Sequence, residues 1–283
     1  MTTTIHETAV IASGAELGED VQVGPYCVIG PRVKVGDRTR IGPQVVIDGV
    51  TTIGADNVIF GQASLGAAPQ DLSYRDEPTC LEIGDRNTIR EFVTINRGTV
   101  KGGGLTVLGS DALLMACCHV AHDCEVGDRA LLANNVLLAG HVSVAEDAIV
   151  NGGAAAHQFV SIGRGAYIGG LTRIVHDVPP YLILEGHPAR VRKVNVIGLE
   201  RKGYSREEIQ PLREAFREVY RTGEPRARVL ERLAPVAERS PLVRELIESL
   251  ERTGMGAKGR YRESRREEYA RIGRERILGG VRA

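Results

Sequence analysis

The chain has 283 residues, of which 42% are hydrophobic, so it is long enough for one or two globular domains with a buried core. It carries 36 basic and 36 acidic residues, and this balance excludes the overall positive field on which nucleic-acid-binding proteins depend. The 34 glycines, the 4% aromatic content and the absence of tryptophan disfavour an aromatic-rich sandwich and favour a narrow, aliphatic, turn-rich fold.

The cysteines and the N-terminus give a first indication of the compartment. The five cysteines are odd in number and form no CxxC pair, which predicts neither a disulfide framework nor a zinc ribbon. Residues 1–7 are polar and no run of 18 apolar residues occurs, so neither an export signal nor a membrane span is expected. These features predict a cytoplasmic protein with reduced thiols.

An aliphatic residue recurs every six positions through most of the first 178 residues. One run extends from Ile5 to Leu65, a second covers Ile83 to Ile95, and a third extends from Leu108 to Ile174. A six-residue period fits neither a 3.6-residue helix nor an alternating strand. It fits a three-sided prism in which each side is one short strand and eighteen residues complete a coil. The sequence therefore predicts a left-handed parallel β-helix of hexapeptide repeats over residues 1–178.

Two segments, 66–80 and 97–106, interrupt this period. Insertions in a solenoid leave at its corners without breaking the stack, and long loops on rigid scaffolds often carry function. We expect the first loop to contribute to a site. The second contains Gly102-Gly103-Gly104, which indicates either a site or simply a turn. The flat faces of the prism also favour oligomerisation.

The pattern changes at Pro179-Pro180, which marks a domain boundary. Ser205 and Glu208 form a capping box for a helix extending to about Tyr220, residues 224–238 can form another helix, and Ser240-Pro241 begins a third. Residues 179–253 are thus predicted to form a C-terminal α-helical cap domain. Residues 254–283 contain nine basic and four acidic residues, which predicts a solvated helix or tail, with docking to an anionic partner as an alternative.

Four of the seven histidines lie between residues 119 and 157. Folded onto an eighteen-residue coil, three of them fall near one corner in successive coils and Gln158 shares that corner; these histidines are His122, His141 and His157. Corner imidazoles are often merely solvated, but a stacked column indicates a site. Histidine titrates near neutral pH, which suits a general base acting on a hydroxyl or an amine. Asp123 can orient the His122 ring if the chain bends so that the two side chains meet.

Several segments narrow the function further: NVIFGQASLGAAPQDL, LEIGDRNTIREFVTINRGT, the run HVAHDC at 119–124, LLANNVLLAGHVSV and, in the cap, VNVIGLERKGYSREEI. Together they resemble the UDP-N-acetylglucosamine acyltransferases that begin lipid A synthesis, over about residues 5–250. The resemblance implies transfer of an R-3-hydroxyacyl group from acyl carrier protein to the 3-position of UDP-N-acetylglucosamine. It further implies a homotrimer with its sites between neighbouring subunits, and no cofactor or metal.

The resemblance also implies roles for particular residues. His122 matches the general base, Asp123 its supporting carboxylate, and the backbone N–H of Gly140 the donor to the thioester oxyanion. Positions that bind the nucleotide sugar or the acyl chain match Asp71, Ser73, His119, His141, His157, Gln158, Asn195 and Arg201. Tyr167 and Gly170 match the positions that set the accepted acyl-chain length.

The chain departs from the family at three positions. Ser73 replaces a substrate-binding lysine, and Arg75 is a candidate to supply the missing charge. Pro188 and Ile197 replace a histidine and a glutamate in the cap. These departures leave open an amine, rather than a hydroxyl, at the 3-position of the acceptor sugar.

Three other functions stay open. Histidines that bridge two subunits of such a rod could hold zinc in a hydratase, and the γ-class carbonic anhydrases are similar in outline. The related N-acyltransferase that acts later in the pathway has an additional N-terminal domain, for which hexads starting at Ile5 leave no room. A scaffold without catalysis is disfavoured by the presence of His122.

Overall fold

In the computed structural model of the protein, residues 2–280 are described, and short strands alternate with turns from Thr4 to Val194. The first fourteen strands are β1 Thr4–Ile5, β2 Val10–Ile11, β3 Glu16–Leu17, β4 Gln22–Val23, β5 Val28–Ile29, β6 Val33–Val35, β7 Arg40–Ile41, β8 Val46–Ile47, β9 Val50–Ile53, β10 Val58–Ile59, β11 Ser64–Ala67, β12 Cys80–Ile83, β13 Thr88–Ile89 and β14 Thr94–Asn96. The next fourteen are β15 Leu105–Leu108, β16 Leu113–Leu114, β17 His119–Val120, β18 Glu125–Val126, β19 Leu131–Leu132, β20 Leu137–Leu138, β21 Ser143–Val144, β22 Ile149–Val150, β23 Ala155–Ala156, β24 Ser161–Ile162, β25 Tyr167–Ile168, β26 Arg173–Ile174, β27 Leu182–Glu185 and β28 Arg190–Val194.

The strands form three sheets, which are the three faces of a prism. Sheet A has the order β1-β4-β7-β10-β13-β16-β19-β22-β25-β27-β28, sheet B the order β2-β5-β8-β11-β14-β17-β20-β23-β26, and sheet C the order β3-β6-β9-β12-β15-β18-β21-β24. Neighbouring strands are parallel, whereas β27 and β28 are antiparallel. In coils without an insertion, the paired residues of parallel strands are eighteen positions apart, as for Thr4 and Gln22. The predicted left-handed parallel β-helix is confirmed.

The core of the prism consists of the aliphatic hexad residues, which stack on their equivalents one coil away. Ile29, Ile47 and Leu65 on sheet B are fully buried, whereas Ile5 in the first coil is 48% exposed because no coil covers it. Three residues before most inward positions, the backbone turns a corner with a positive φ, for example at Asp123 (φ 60°) before Val126. Non-glycine residues adopt this left-handed conformation infrequently, so the tight corner imposes it.

Both predicted loops leave the prism at one corner. Val58 pairs with Thr88 thirty positions away and Glu82 pairs with Val107 twenty-five positions away, so the stack continues across each insertion. Each loop connects a strand of sheet B to a strand of sheet C. In the three following coils the same corner consists of residues 121–124, 139–142 and 157–160, which we call the histidine corner. The topology therefore places both loops beside the clustered histidines.

In the predicted cap domain, two strands precede the helices. The helices are α1 Val196–Arg201, α2 Arg206–Arg221, α3 Arg226–Arg239, α4 Pro241–Met255, α5 Tyr261–Ser264 and α6 Arg266–Gly280, and none of them, within residues 2–280, is long and apolar enough to cross a membrane. The predicted capping box is confirmed, because Glu208 N donates to Ser205 Oγ (3.2 Å) and Ser205 N donates to Glu208 Oε2 (2.8 Å). After Pro180 the chain re-enters sheet A through β27 and β28, so the helical part starts at Val196.

The basic C-terminal segment forms a helix, as one form of the prediction had it, but it packs on the rest of the chain instead of being fully solvated. Its side chains reach the β-helix: the buried Arg262 forms an ion pair with Glu125 (2.8 Å), and Arg260 donates to the carbonyl oxygen of Val175 (2.9 Å). The sequence does not show this packing because the partners are more than eighty positions away. Residues 281–283 of the predicted extension lie outside the described residues.

Strand β16 offers a direct test of the inward and outward alternation. Leu114 is fully buried, whereas its neighbour Leu113 points out of sheet A and is only partly buried. We expect Leu114→Ala to lower the free energy of unfolding by about 2–5 kcal/mol, because it leaves a cavity in the stack. Chemical denaturation measures the loss, and Leu113→Ala is the matched control. Equal losses for the two variants would contradict the assignment of the core.

Candidate active site

The histidine corner brings together two side chains that are adjacent in sequence. His122 Nδ1 donates to Asp123 Oδ2 over 2.7 Å, and both residues are buried. Successive side chains on a regular strand point to opposite faces and do not meet. Here the positive φ of Asp123 (60°) turns the chain between them. The bend on which the sequence argument depended is therefore present.

Asp123 is held by the second loop. Thr99 donates to the carboxylate twice, from its backbone N to Oδ1 (2.7 Å) and from its Oγ1 to Oδ2 (2.6 Å). The backbone N of Asp123 donates to Thr106 Oγ1 over 2.7 Å. With the bond from His122, the carboxylate accepts three hydrogen bonds, which fix its orientation.

His141 lies one coil beyond Asp123 in the same column. Its ring stacks on Phe159 (centroids 4.2 Å apart) and meets the edge of the His122 ring (5.1 Å). Burial, together with the charge of His122, lowers the pKa of His141 to about 4, although Asp123 opposes the shift. His141 is therefore neutral at pH 7, and it supports the His122 ring without adding a second positive charge.

The first loop places a carboxylate opposite the free nitrogen of His122. Asp71 Oδ2 lies 4.0 Å from His122 Nε2 and forms an ion pair with Lys101 Nζ (2.6 Å). Partial burial raises the pKa of Asp71, but hydrogen bonds from Lys101 and Ser73 outweigh this and hold the pKa well below its usual range. Asp71 is therefore ionised at neutral pH.

Ser73 and the cation beside it differ from the sequence expectation. Ser73 Oγ donates to Asp71 Oδ1 (2.8 Å) and accepts from Lys101 Nζ (2.8 Å). The candidate Arg75 instead donates to the backbone oxygens of Leu72 and Tyr74. The positive charge near Ser73 is thus supplied by the second loop, which sequence reasoning did not identify because the two loops are distant along the chain.

These groups border a cavity of about 580 Å³ at the histidine corner. Its walls come from both loops, from three coils of the corner and from helix α6; the lining residues are Gln70, Asp71, Leu72, Lys101, His122, His141, Gln158, Phe159, Arg266, Glu267 and Ala270. The cavity combines a histidine–aspartate pair, a separate ionised carboxylate and a lysine. This set can remove a proton from a bound group and orient a polar substrate.

Gly140 lies directly beneath the His122 ring. A Cβ added at Gly140 would be 2.5 Å from His122 Cε1, so only glycine leaves room for the imidazole. The neighbouring residues Ala139 and His141 donate their N–H groups to carbonyl oxygens of Ala156 and His122. Within residues 2–280, the N–H of Gly140 makes no such bond. It is therefore a free backbone donor next to the imidazole.

The structure does not bring every predicted site residue to this cavity. His119 projects from sheet B and forms a hydrogen bond with Thr94 Oγ1 (2.7 Å), and burial lowers its pKa. His157 is exposed, and its Nδ1 contacts the oxygen of Gln158 (3.0 Å). Gly170 lies at the corner between sheets A and B, where an added Cβ would be 3.3 Å from the carbonyl oxygen of Gly152.

The remaining predicted residues border a second cavity, of about 720 Å³, on sheet A. Asn195, Arg201 and Tyr167 line it, together with Ile197. Asn195 is the N-cap of α1, accepting from Gly198 N (3.1 Å) and donating to the oxygen of Gly165 (3.1 Å). Within one chain, the residues assigned to one site thus fall into two cavities.

Two other kinds of chemistry do not fit the histidine corner. His122, Asp123 and His141 each offer a metal-ligand atom within 4.8 Å of the others. However, the Asp123 oxygens already accept three hydrogen bonds, and a zinc ion would compete for the same lone pairs. Burial raises the pKa of Cys124 to about 12, which leaves no thiolate to act as a nucleophile at neutral pH.

Comparison with known proteins decides the family. Models for the bacterial transferase hexapeptide match residues 14–49 and 105–140, and the model for domain 2 of UDP-N-acetylglucosamine O-acyltransferase matches residues 177–258. The acyl-[acyl-carrier-protein]–UDP-N-acetylglucosamine O-acyltransferase of Thiobacillus denitrificans is 49% identical over 253 residues, which are 89% of this chain and 98% of that protein. This chain belongs to the UDP-N-acetylglucosamine O-acyltransferase family.

Other members of the acyltransferase family agree with this assignment. The protein of the same name from Paraburkholderia phymatum is 46% identical over 256 residues, covering 89% of this chain and 98% of its own length. The solved structure of LpxA from Acinetobacter baumannii has a TM-score of 0.85 and 44% identity, and covers 87% of this chain and 96% of its own. The family model for domain 2 ends at residue 258 of this acyltransferase, so helices α5 and α6 lie beyond the matched residues.

Sequence reasoning missed four contributors to the site of this acyltransferase. Phe159 lies eighteen positions after His141, so the coil period could have identified it. Lys101 and Thr99 lie in the second loop, in which the glycines were the only residues that indicated a site or a turn. Arg266 gave no signal, because its position beside Phe159 (4.3 Å) depends on where the C-terminal segment packs.

Gly140 provides a test of this geometry. We expect Gly140→Ala to displace the His122 ring and break its bond to Asp123, because the new Cβ would occupy space now filled by the imidazole. A crystal structure of the variant, or the chemical shifts of the His122 ring, measures the change. Gly152→Ala, with its nearest contact at 3.3 Å, is the control. An unmoved ring in Gly140→Ala would show that this close packing is misassigned.

Proposed function

We propose that this protein transfers an R-3-hydroxyacyl chain from acyl carrier protein to the 3-hydroxyl of UDP-N-acetylglucosamine, which is the first step of lipid A biosynthesis. The observation that carries the proposal is the buried His122–Asp123 pair, with its free nitrogen directed toward the cavity. The curated relatives are named for this O-acyl transfer. Their names support the hydroxyl over the amine as the acceptor.

The hydrogen bond to Asp123 determines the tautomer of His122. An ionised carboxylate only accepts, so the proton lies on Nδ1 and the lone pair on Nε2. Nε2 then removes the proton of the sugar 3-hydroxyl while the oxygen of that hydroxyl attacks the carbonyl carbon of the thioester. Asp123 stabilises the imidazolium that forms, and neutral His141 adds no repulsion.

His122 also provides the proton for the remaining steps of the reaction. Attack forms a carbon–oxygen bond and places negative charge on the former carbonyl oxygen, to which the free N–H of Gly140 donates a hydrogen bond. Collapse of this intermediate breaks the carbon–sulfur bond. The leaving thiolate takes the proton from the imidazolium, which returns His122 to its starting form.

The polar groups around His122 suit the acceptor sugar. Ionised Asp71 accepts hydrogen bonds from sugar hydroxyl groups, and Gln158 offers both a donor and an acceptor. Lys101 and Ser73 hold Asp71 in place. In this proposal Lys101 takes over the charge that relatives with a lysine at the Ser73 position carry in the first loop.

We infer that the active form is a homotrimer with sites between neighbouring subunits. Asn195 and Arg201, which suit the nucleotide part of the substrate, border the second cavity and not the one that contains His122. A neighbouring copy would have to supply them. The first coils of sheet B carry outward apolar side chains consistent with an interface; these are Val10, Val28 and Val46, each at least 40% exposed, and the exposed Leu137 lies farther along the same sheet. His119 projects from the same sheet.

Two assignments stay predictions. Tyr167 and Gly170 are proposed to limit the acyl chain, and since Tyr167 borders the second cavity, this limit also requires a neighbouring subunit. A cytoplasmic location is proposed from the sequence.

An acceptor panel tests the reaction. Purified protein is offered hydroxyacyl carrier proteins of several chain lengths with UDP-N-acetylglucosamine or its 3-amino analogue. We expect transfer to the hydroxyl, and His122→Ala should lower kcat on the order of 100-fold or more because the general base is lost. His6→Ala, an exposed histidine in the first coil, is the control.

The outcomes of the panel separate the alternatives. Transfer only to the 3-amino analogue would replace O-acylation by N-acylation with the same base. Absence of transfer to both acceptors would refute the function. Activity retained by His122→Ala would remove His122 from its role.

Mixed oligomers test the shared site. His122→Ala and Arg201→Ala chains are inactive or weak alone, but coexpressed chains form trimers in which one chain supplies His122 and its neighbour supplies Arg201. If the two chains mix at random in equal amounts, about a quarter of the sites receive both an intact His122 and an intact Arg201, so about a quarter of the wild-type activity should return. Recovery no greater than the sum of the two variants would place His122 and Arg201 in the same subunit's site.

A further inference from the structure

Helix α6 packs against the loop that holds Asp123. Gly273 lies so close to this loop that an added Cβ would overlap the carbonyl oxygen of Val100. Three residues later, Arg276 Nη1 donates to the carbonyl oxygen of Gly103 over 2.5 Å. The middle of α6 therefore covers the 3-10 turn Val100–Gly102.

This loop needs external support to keep one conformation. Gly103 (φ 106°) and Gly104 (φ 78°) occupy backbone conformations that other residues rarely adopt. Three successive glycines also lose more conformational entropy on ordering than other residues would. Within the loop, Gly102 and Gly104 donate their N–H groups to Thr99 O (3.0 and 2.8 Å). The contacts with α6 add to these two hydrogen bonds within the loop.

The loop connects directly to the base. Thr99 donates to Asp123 from both its backbone N and its Oγ1, and Asp123 accepts from His122. Gly102 packs so closely on the Asp123 carboxylate that it has no room for a side chain. A shift of the loop therefore changes the position of Asp123 and, through it, the orientation of His122.

The start of the helix is anchored at the same corner. Arg262 pairs with Glu125 on sheet C and donates to the carbonyl oxygen of His141 (3.0 Å). Arg266 stacks over Phe159 at 4.3 Å, and the first turn of α6 borders the His122 cavity. These contacts hold the beginning of α6 at the histidine corner, and Arg276 holds a later turn of α6 on the loop.

We propose that α6, which lies beyond the residues that the family model matches, is a positioning element of this active site. It holds the loop 97–106 so that Thr99 keeps Asp123, and hence the His122 ring, in the orientation that proton transfer requires. The kinetic consequence rests on the proposed acyl transfer, whereas the structural consequence does not.

Gly273→Ala is the test variant, because alanine favours a helix more than glycine and its Cβ separates α6 from the loop. We expect the amide protons of Thr99 to Gly104 to exchange faster with solvent, and kcat at saturating substrates to fall on the order of tenfold or more. Gly254→Ala is the matched control, since Gly254 also lies in a helix but has open space around its Cβ position.

A double variant tests whether α6 acts through Thr99. Thr99→Val removes the hydroxyl that donates to Asp123, whereas Thr99→Ser retains it and should keep kcat. If α6 acts through this contact, Gly273→Ala combined with Thr99→Val lowers kcat little more than the stronger single variant. Arg276→Ala, with the exposed Arg271→Ala as its control, repeats the test if Gly273→Ala does not fold.

Several results would overturn the inference. These are unchanged hydrogen exchange at Thr99 to Gly104, a kcat equal to that of Gly254→Ala, or a double variant in which the two effects multiply. If the wild-type protein transfers no acyl group, the proposed function fails, and hydrogen exchange alone then decides the role of α6.

Discussion

The eighteen-residue register between successive coils is the constraint on which the rest of this structure depends. Backbone hydrogen bonds join successive coils, as in His141 N to His122 O (3.0 Å) and Phe159 N to Gly140 O (3.2 Å). Residues eighteen positions apart therefore stack, and each aliphatic hexad residue is buried on its equivalent. The same register aligns Asp123, His141 and Phe159 in one column at the left-handed position of the corner.

A rigid corner of this kind suits proton transfer because little needs to move when charge develops. The backbone fixes His122 between Gly140 and Asp123, and the carboxylate is fixed by Thr99. Burial keeps the neighbouring His141 neutral, so this ring adds no positive charge beside His122. The loops then add what a regular prism cannot, namely Asp71 and Lys101 on the open side of the ring.

The solenoid separates the residues assigned to the site. Every face of the prism is flat, so groups on sheet A and groups at the corner between sheets B and C border different cavities. In the proposed trimer a neighbouring copy would add a wall to the open corner. Within one chain, α6 adds a wall, and buried arginines of the C-terminal segment hold it there.

The period of six was sufficient to predict the prism, its core residues and the column that contains His122 and His141, because stacking repeats a local pattern along the chain. It also placed Asp71 and Ser73 in a loop beside a site. The bond between His122 and Asp123 required a left-handed turn that the sequence only permitted. The positions of Thr99, Lys101 and Arg266, and the separation of Asn195 and Arg201 from His122, came from tertiary structure alone. These contacts join segments that are distant along the chain, and no local pattern encodes where such segments pack.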